Sequence, residues 1–297
     1  MAAIDINRGT TGINLPYEVS NEIWSKMQDA SAIMQLATPM ELPGSGVEVD
    51  MIATDPTADW VGETEEVKVS KGTATSKKMK GYTMGVIVPF SREFARDKAR
   101  LFDEMVARVP GVLAEKFDGT CFGKYTKPGE LFDQFSTCDG VDVNTDPWAG
   151  LVAADAAIAE NNAVLNGYCI SPKMKSLLLT AKDGNDRPLF VNSVAENGVP
   201  VVLGNPTHLS RAAYLAGVKS TSTPDTLGVA GDWTSARYGV VEGMTATVSD
   251  QATLTIDGQT VNLWQRRMFA IMFEIEIGFR LKYEDDFVRL TGAVPSE

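Results

Sequence analysis

Between Val47 and Pro89 the chain carries no helical pattern, and the way this stretch must be accommodated restricts every fold open to it. Apolar residues alternate at Val47, Val49 and Met51 near one end and at Tyr82, Met84, Val86 and Val88 near the other, the period-two mark of strands that bury one face. Together they predict one long hairpin. Its middle, Thr64 to Lys80, is mostly Lys, Thr, Ser and Glu, with Val67, Val69 and Met79 as the larger apolar residues. A compact body of 297 residues has a radius of gyration of about 19 Å, whereas roughly 20 residues of extended strand reach about 65 Å. If both arms are extended, the tip leaves the body. A two-stranded ribbon is marginal alone in water, so such an excursion requires a surface from another chain.

The rest of the composition is that of a globular protein, 44% apolar and 22% charged, sized for one large domain or two modest ones. The longest apolar runs, such as Met268 to Phe273, supply about a third of the roughly 20 residues a membrane-spanning helix needs. No membrane partner is expected. The first residues lack both the basic flank and the apolar core of a secretory signal, so export is not expected either. A formal net charge of −12 argues against binding nucleic acid by phosphate neutralisation. Cys121, Cys138 and Cys169 are odd in number and lack CxxC spacing, which points to reduced thiols in a cytoplasm, not a disulfide framework or a zinc site.

Along the chain, residues 1–14 read as an extended arm that cannot bury itself. Val19, Ile23, Trp24, Met27, Ala30 and Met34 then follow helical spacing until Pro39, Pro43, Gly44 and Gly46 end the segment. Ser91 can cap a short helix. Leu101, Phe102, Met105, Val106, Val109, Leu113 and Phe117 form one long helical stripe, which Pro110 should bend but not end. Asp146-Pro147 is an N-cap followed by proline at the first helical position, and Ser171-Pro172 opens another helix after a buried strand at Gly167–Ile170. Val199–Leu203 and Ala212–Val218 read as further strands, making 147–262 a compact α+β unit. From Phe269 to Leu281 every odd position is apolar, which predicts a long strand with one buried face, preceded by Thr253–Ile256 and an Asp257-Gly258 hairpin turn.

Catalytic signatures are sparse. His208 is the single histidine, no Gly-x-Ser-x-Gly elbow accompanies it, and neither GxGxxG nor a P-loop pattern occurs, so no catalytic residue, cofactor or metal is expected. The acidic groups Glu63/Glu65/Glu66 and Asp285/Asp286 sit in polar stretches suited to a solvated face or to ion pairing. Lys68, Lys71, Lys77, Lys78 and Lys80 form a basic patch opposite in sign to the whole chain. It is either a solvated hairpin tip or a docking surface for an acidic neighbour. Trp60, in Ala58-Asp-Trp-Val-Gly-Glu63, is an aromatic in a stretch that buries itself poorly, and is read as a contact anchor.

The order of segments, with Trp60-Val-Gly-Glu63, Val88-Pro-Phe-Ser91, Leu227-Gly-Val-Ala-Gly-Asp-Trp233, Ile277-Gly-Phe-Arg280 and Asp286-Phe-Val-Arg-Leu290, resembles the major capsid proteins of tailed bacteriophages with the Hong Kong 97-type fold. The resemblance covers nearly the whole chain. It implies an α+β fold with an N-arm (1–46), an E-loop (47–89), a P-domain with a long spine helix (90–146 and 263–297, its last residues returning toward the A-domain) and an A-domain (147–262). It further implies a structural subunit of an icosahedral shell around packaged DNA, located in the virion and assembled in the host cytoplasm. The implied partners are copies of itself in hexamers and pentamers, a portal and a decoration protein, with no sequence-specific nucleic-acid binding. The implied contacts between subunits are Trp60, Glu63, Lys68, Lys71, Lys77 and Lys78.

In the fold's namesake a scaffolding segment precedes the E-loop and is removed on maturation. Too few residues precede it here, so either scaffolding is a separate protein or the chain is already processed, and Met1 favours a separate scaffolding protein. The namesake also links an E-loop lysine to an asparagine; Lys68, Lys71, Lys77 and Lys78 leave that chemistry open. Two other readings compete: an encapsulin-type nanocompartment shell, and a hydrolase built on the α+β middle.

Overall fold

A computed structural model describes residues 13–14, 17–54, 56–97, 99–182, 185, 187–190, 201–256 and 258–294. Most of the predicted N-terminal arm therefore lies outside the described residues, as do Val199 and Pro200 of a predicted strand and Asp257 of the predicted turn.

The chain opens with a short strand β1 (Ile13–Asn14) and two helices, α1 (Tyr17–Ala30) and α2 (Ala32–Leu36). The sequence predicts one helix here, and Ser31 is the reason there are two. Its backbone leaves the helical region (φ −90°, ψ 121°), and its hydroxyl accepts the Met34 N–H, giving the chain a local alternative to continued helix. The predicted helix stop is also a strand: β2 (Thr38–Glu41) contains Pro39 and pairs in parallel with β11 (Ala236–Ser249).

The hairpin is shorter than its alternation suggests. Strand β3 (Val47–Thr54) pairs with β4 (Thr73–Met79), Val47 facing Met79, whereas Tyr82–Val88 belongs to a separate strand, β5 (Tyr82–Ser91). Gly81 lies between the two strands, in a close approach that only glycine fits, since a Cβ there would lie 2.5 Å from Val241 Cγ2. β5 runs antiparallel to the long strand β14 (Met268–Leu281), which pairs on its other side with β11. The alternation along β14 is realised. Phe273, Ile275, Ile277, Phe279 and Leu281 are buried, each contributing about 1.5–3 kcal/mol relative to exposure.

Ser91 Oγ accepts the Glu93 N–H at the start of α3 (Arg92–Asp97), and α4 (Ala99–Phe122) runs on through Pro110 as predicted. The stripe Val109, Leu113, Phe117 and Cys121 on α4 packs with Met27 and Ile33 from the first helices against the inner face of β14, forming one core.

A second sheet carries a second core. It orders β6 (Gly140–Asp142), β15 (Phe287–Thr291), β10 (Thr226–Gly231), β7 (Gly167–Ile170), β9 (Asn205–Leu209) and β8 (Val201–Val202). Helices α5 (Pro147–Glu160) and α6 (Pro172–Thr180) cover it with Leu151, Ile158, Met174 and Leu178. Both predicted caps form: Asp146 accepts from Trp148 N and Ala149 N, and Ser171 from Met174 N.

Two strand expectations fail. Ala212–Val218 holds part of a 3-10 turn (Arg211–Ala213) and isolated bridges at Leu215 and Val218, because Ser210 caps the turn instead of extending a strand. The turn at Gly258 does not lead into the long strand. It closes a small ribbon of β12 (Thr253–Ile256) and β13 (Gln259–Asn262).

Phe135 joins the two sheets within the first core. Its ring centroid lies 5.4 Å from Phe279 of β14, 5.0 Å from Phe287 of β15 and 5.4 Å from Trp233. Trp233 is held in turn by its indole N–H, which donates to Gly167 O at 3.0 Å.

Candidate assembly surface

The hairpin of β3 and β4 is fixed to the body at its base and exposed at its end. At the base, Val49 and Met79 are buried with Leu42. Gly46 permits this seat: its φ is +88°, and a Cβ would lie 2.6 Å from Met79 O. Arg280 Nε donates to Lys78 O at 3.0 Å, while the same guanidinium pairs with Asp133, their side chains being only 11% and 13% exposed. Tyr283 Oη donates to Ile52 O at 2.8 Å. The ribbon is thus held, at its base and near the outer end of its ladder, by main-chain acceptors that any sequence would offer, and by donors from the end of β14 and the loop after it.

The described ladder ends at Thr54 and Thr73. Polar contacts shape the tip: Thr57 N donates to Ser70 Oγ at 2.7 Å, Gly62 N to Glu65 Oε2 at 3.2 Å, and Lys68 pairs with Asp59 at 3.4 Å. These contacts leave the apolar side chains open. Trp60 is 104% exposed, Val69 87% and Val67 71%.

The residues singled out from sequence are spread over both regions. Trp60, Glu63, Lys68 and Lys71 are exposed on the tip segment. Lys77 and Lys78 lie at the base, in register with Val49 and Glu48. The Lys77 ammonium donates to Leu281 O at 3.1 Å and to Glu284 at 3.2 Å, so it serves its own chain. The lysines therefore do not form a basic tip. Residues 47–66 carry acidic groups and no lysine or arginine, residues 67–80 carry lysines and no acidic group, and the antiparallel pairing lays one arm beside the other. Sequence reasoning misses several further exposed apolar residues, among them Val164 (74%), Trp264 (68%) in the loop before β14 and Ile52 (59%) on β3. No pattern marks them, because the outward face of a strand or loop is defined only once its partners are known.

Elsewhere the three thiols are enclosed, and the one histidine is half-buried. Cys121, Cys138 and Cys169 are buried free thiols; burial pushes Cys138 up to about 12 and holds the other two well above the usual thiol range. His208 sits on β9 opposite Cys169, its pKa lowered by burial. Among the described residues no His/Cys/Asp/Glu group is arranged to hold a metal, and no helix is long and apolar enough to cross a membrane. Asp118 on α4 is 2% exposed and caps α2, accepting from Ser31 Oγ at 2.5 Å and Ala32 N at 2.8 Å; burial raises its pKa to about 6.

An anchored ribbon with an uncovered apolar tip is a surface of the kind by which structural subunits meet. The model of the phage capsid family matches residues 11–292, and the chain belongs to that family. It is 26% identical to the probable major capsid protein gp17 of Mycobacterium phage D29, over 93% of this chain and 89% of the relative. It is 23% identical to the major capsid protein of Staphylococcus phage 80alpha, over 94% of this chain and 87% of that one. Among solved structures, one from Gordonia phage Cozz matches with a TM-score of 0.73 and 20% identity, covering 89% of this chain and 87% of the other. The capsid of a native GTA particle matches at 0.64 and 12%, covering 89% and 90%. The fold is the α+β capsid fold that the sequence resemblance implied, and the chain is a structural capsid subunit.

Proposed function

We propose that this chain builds the icosahedral head shell of a tailed phage, its copies meeting as hexamers and pentamers around packaged DNA. In this reading 1–46 is the N-arm, 47–89 the E-loop, 90–146 with 263–297 the P-domain, and 147–262 the A-domain. The shell forms in the host cytoplasm with a separate scaffolding protein, incorporates a portal and accepts a decoration protein. The chain has no catalytic role. Contacts through Trp60, Glu63, Lys68 and Lys71 join neighbouring copies, with Lys77 and Lys78 positioning the hairpin that makes them.

The observation that carries the reading is the hairpin. Its base is fixed by buried and hydrogen-bonded groups, while Trp60, Val67 and Val69 have no cover among the described residues of their own chain. Large apolar side chains held out on an anchored ribbon become favourable only when a neighbour buries them. The acidic balance fits a wall that encloses nucleic acid without gripping it. Electron microscopy of the chain expressed with its scaffolding protein tests the reading: closed particles are expected, and a persistent monomer would sink it.

A further inference from the structure

One cleft on the body has the size, lining and charge to receive a large aromatic side chain. It holds about 300 Å³ between β5, α4 and the loop that follows α4. Tyr82, Met84, Phe117, Phe132 and Ile277 form its walls. The rings are arranged edge to face, with Phe132 at 6.3 Å from Tyr82 (70°) and at 6.5 Å from Phe117 (90°). An incoming ring can extend this arrangement, and the hydroxyl of Thr126, an exposed lining residue, can accept an indole N–H.

The rim is basic. The Lys116 ammonium lies 3.5 Å from the centroid of the Tyr125 ring, and among the described residues no carboxylate lies within 4 Å of it. Lys124 and Lys127 stand nearby in sequence but are neutralised by Glu115 and Glu130, which leaves Lys116 as the charge open to a visitor.

The exposed tryptophans are not equivalent as occupants. Trp264 is followed by Gln265, Arg266 and Arg267, which would bring like charge to Lys116. Trp148 is packed against Phe190, 6.1 Å between centroids. Trp60 follows Asp59, which already pairs with Lys68, and precedes Glu63, Glu65 and Glu66, and it is fully exposed. Charge complementarity selects it.

We propose that the Trp60 indole of one copy fills this cleft on a neighbouring copy, with the acidic tip of the hairpin lying along the Lys116 rim. The inference rests on the reading that hairpins join copies, and adds which surface receives them. The cleft sits between the strand that follows the hairpin and the long helix, so each copy offers both an anchor and a receptor. That is a heterologous contact, which can propagate around a ring.

The test places a benzophenone amino acid at position 60 in a minority of isotopically heavy chains, assembled with light wild-type chains into particles. Irradiation should give heavy-to-light adducts on residues 82–85 or 116–132. Adducts to a different segment of the light chain, residues 1–12 included, would overturn the assigned cleft while leaving the hairpin as an interface. Adducts confined to one chain would overturn both.

A double-mutant comparison gives an independent check. Trp60→Ala, and Thr126→Trp on the exposed loop, should each raise the concentration needed for particle formation by about 30-fold. The double variant should be no worse than either single change. Multiplying effects would mean that the two sites do not meet.

Discussion

The body and the hairpin use the same residue types under opposite conditions. In the body, Phe135 touches aromatic rings from both sheets and is wholly buried, and Trp233 has both its ring face and its N–H satisfied. On the hairpin, the Trp60 ring lies open to solvent, although the polar groups around it are hydrogen-bonded much as they would be in any ordered loop. Polar satisfaction therefore does not separate the finished region from the unfinished one. Apolar cover does.

The largest effect expected is in the body. Phe135→Ala should cost about 3–5 kcal/mol, as for a large aromatic removed from a packed core, and should loosen the two sheets from one another. Denaturant unfolding of the dissociated subunit measures it; a loss below about 1 kcal/mol would show that Phe135 does not join the sheets. Arg280→Ala should cost about 3 kcal/mol, because Asp133 would be left without its charge partner in a largely buried setting while the hairpin loses a donor at Lys78 O. Its signature is cleavage within 47–79 by protease at lower enzyme concentration than for the parent chain.

The next prediction concerns pH. Burial raises the Asp118 carboxyl to about 6, above its ordinary value of 3.8, so the folded chain binds this proton more tightly than the unfolded one. The stability it contributes is full below pH 3.8 and is lost as pH rises through about 6, a difference of about 3 kcal/mol. Asp118→Asn removes the titration, so unfolding free energy measured from about pH 4 to 7 should fall less steeply in the variant. Equal slopes would rule the idea out.

Effects at the hairpin invert this pattern. Trp60→Ala should leave subunit unfolding within about 0.5 kcal/mol of the parent, yet weaken association by about 2 kcal/mol or more. An equal loss in both measurements would erase the distinction between the two regions. The smallest expected change is Lys68→Ala, whose ion pair with Asp59 is exposed: below about 0.5 kcal/mol on folding.

Much of this was legible in the residues. Strict alternation from Phe269 to Leu281 foretold which side of β14 is buried, since successive side chains on a strand point to opposite faces. Asp146 and Ser171 announced their helices because capping is a contact between residues two or three apart. The pairing of β4 with β3, and of β5 with β14, could not be read in the same way. The alternating stretches 47–51 and 82–88 look like two arms of one hairpin, whereas the strand that pairs with β3 is the polar Thr73–Met79. The chain passes from β4 to β5 at Gly81, where a Cβ would clash with Val241, a residue far along the chain. Lys77 and Lys78 looked equivalent to Lys68 for the same reason: their difference lies in Leu281, Glu284 and Arg280.

Local chemistry in the sequence determined the long strand, the capped helices and a segment with too little apolar material to shelter its own tryptophan. Those outcomes depend on spacing along one stretch of chain, which covalent order preserves. The place where the hairpin is clamped, the buried Asp118 beneath α2 and the aromatic cleft beside β5 were decided by the tertiary structure alone. Each depends on side chains brought together across tens to hundreds of residues, and only folding fixes those distances.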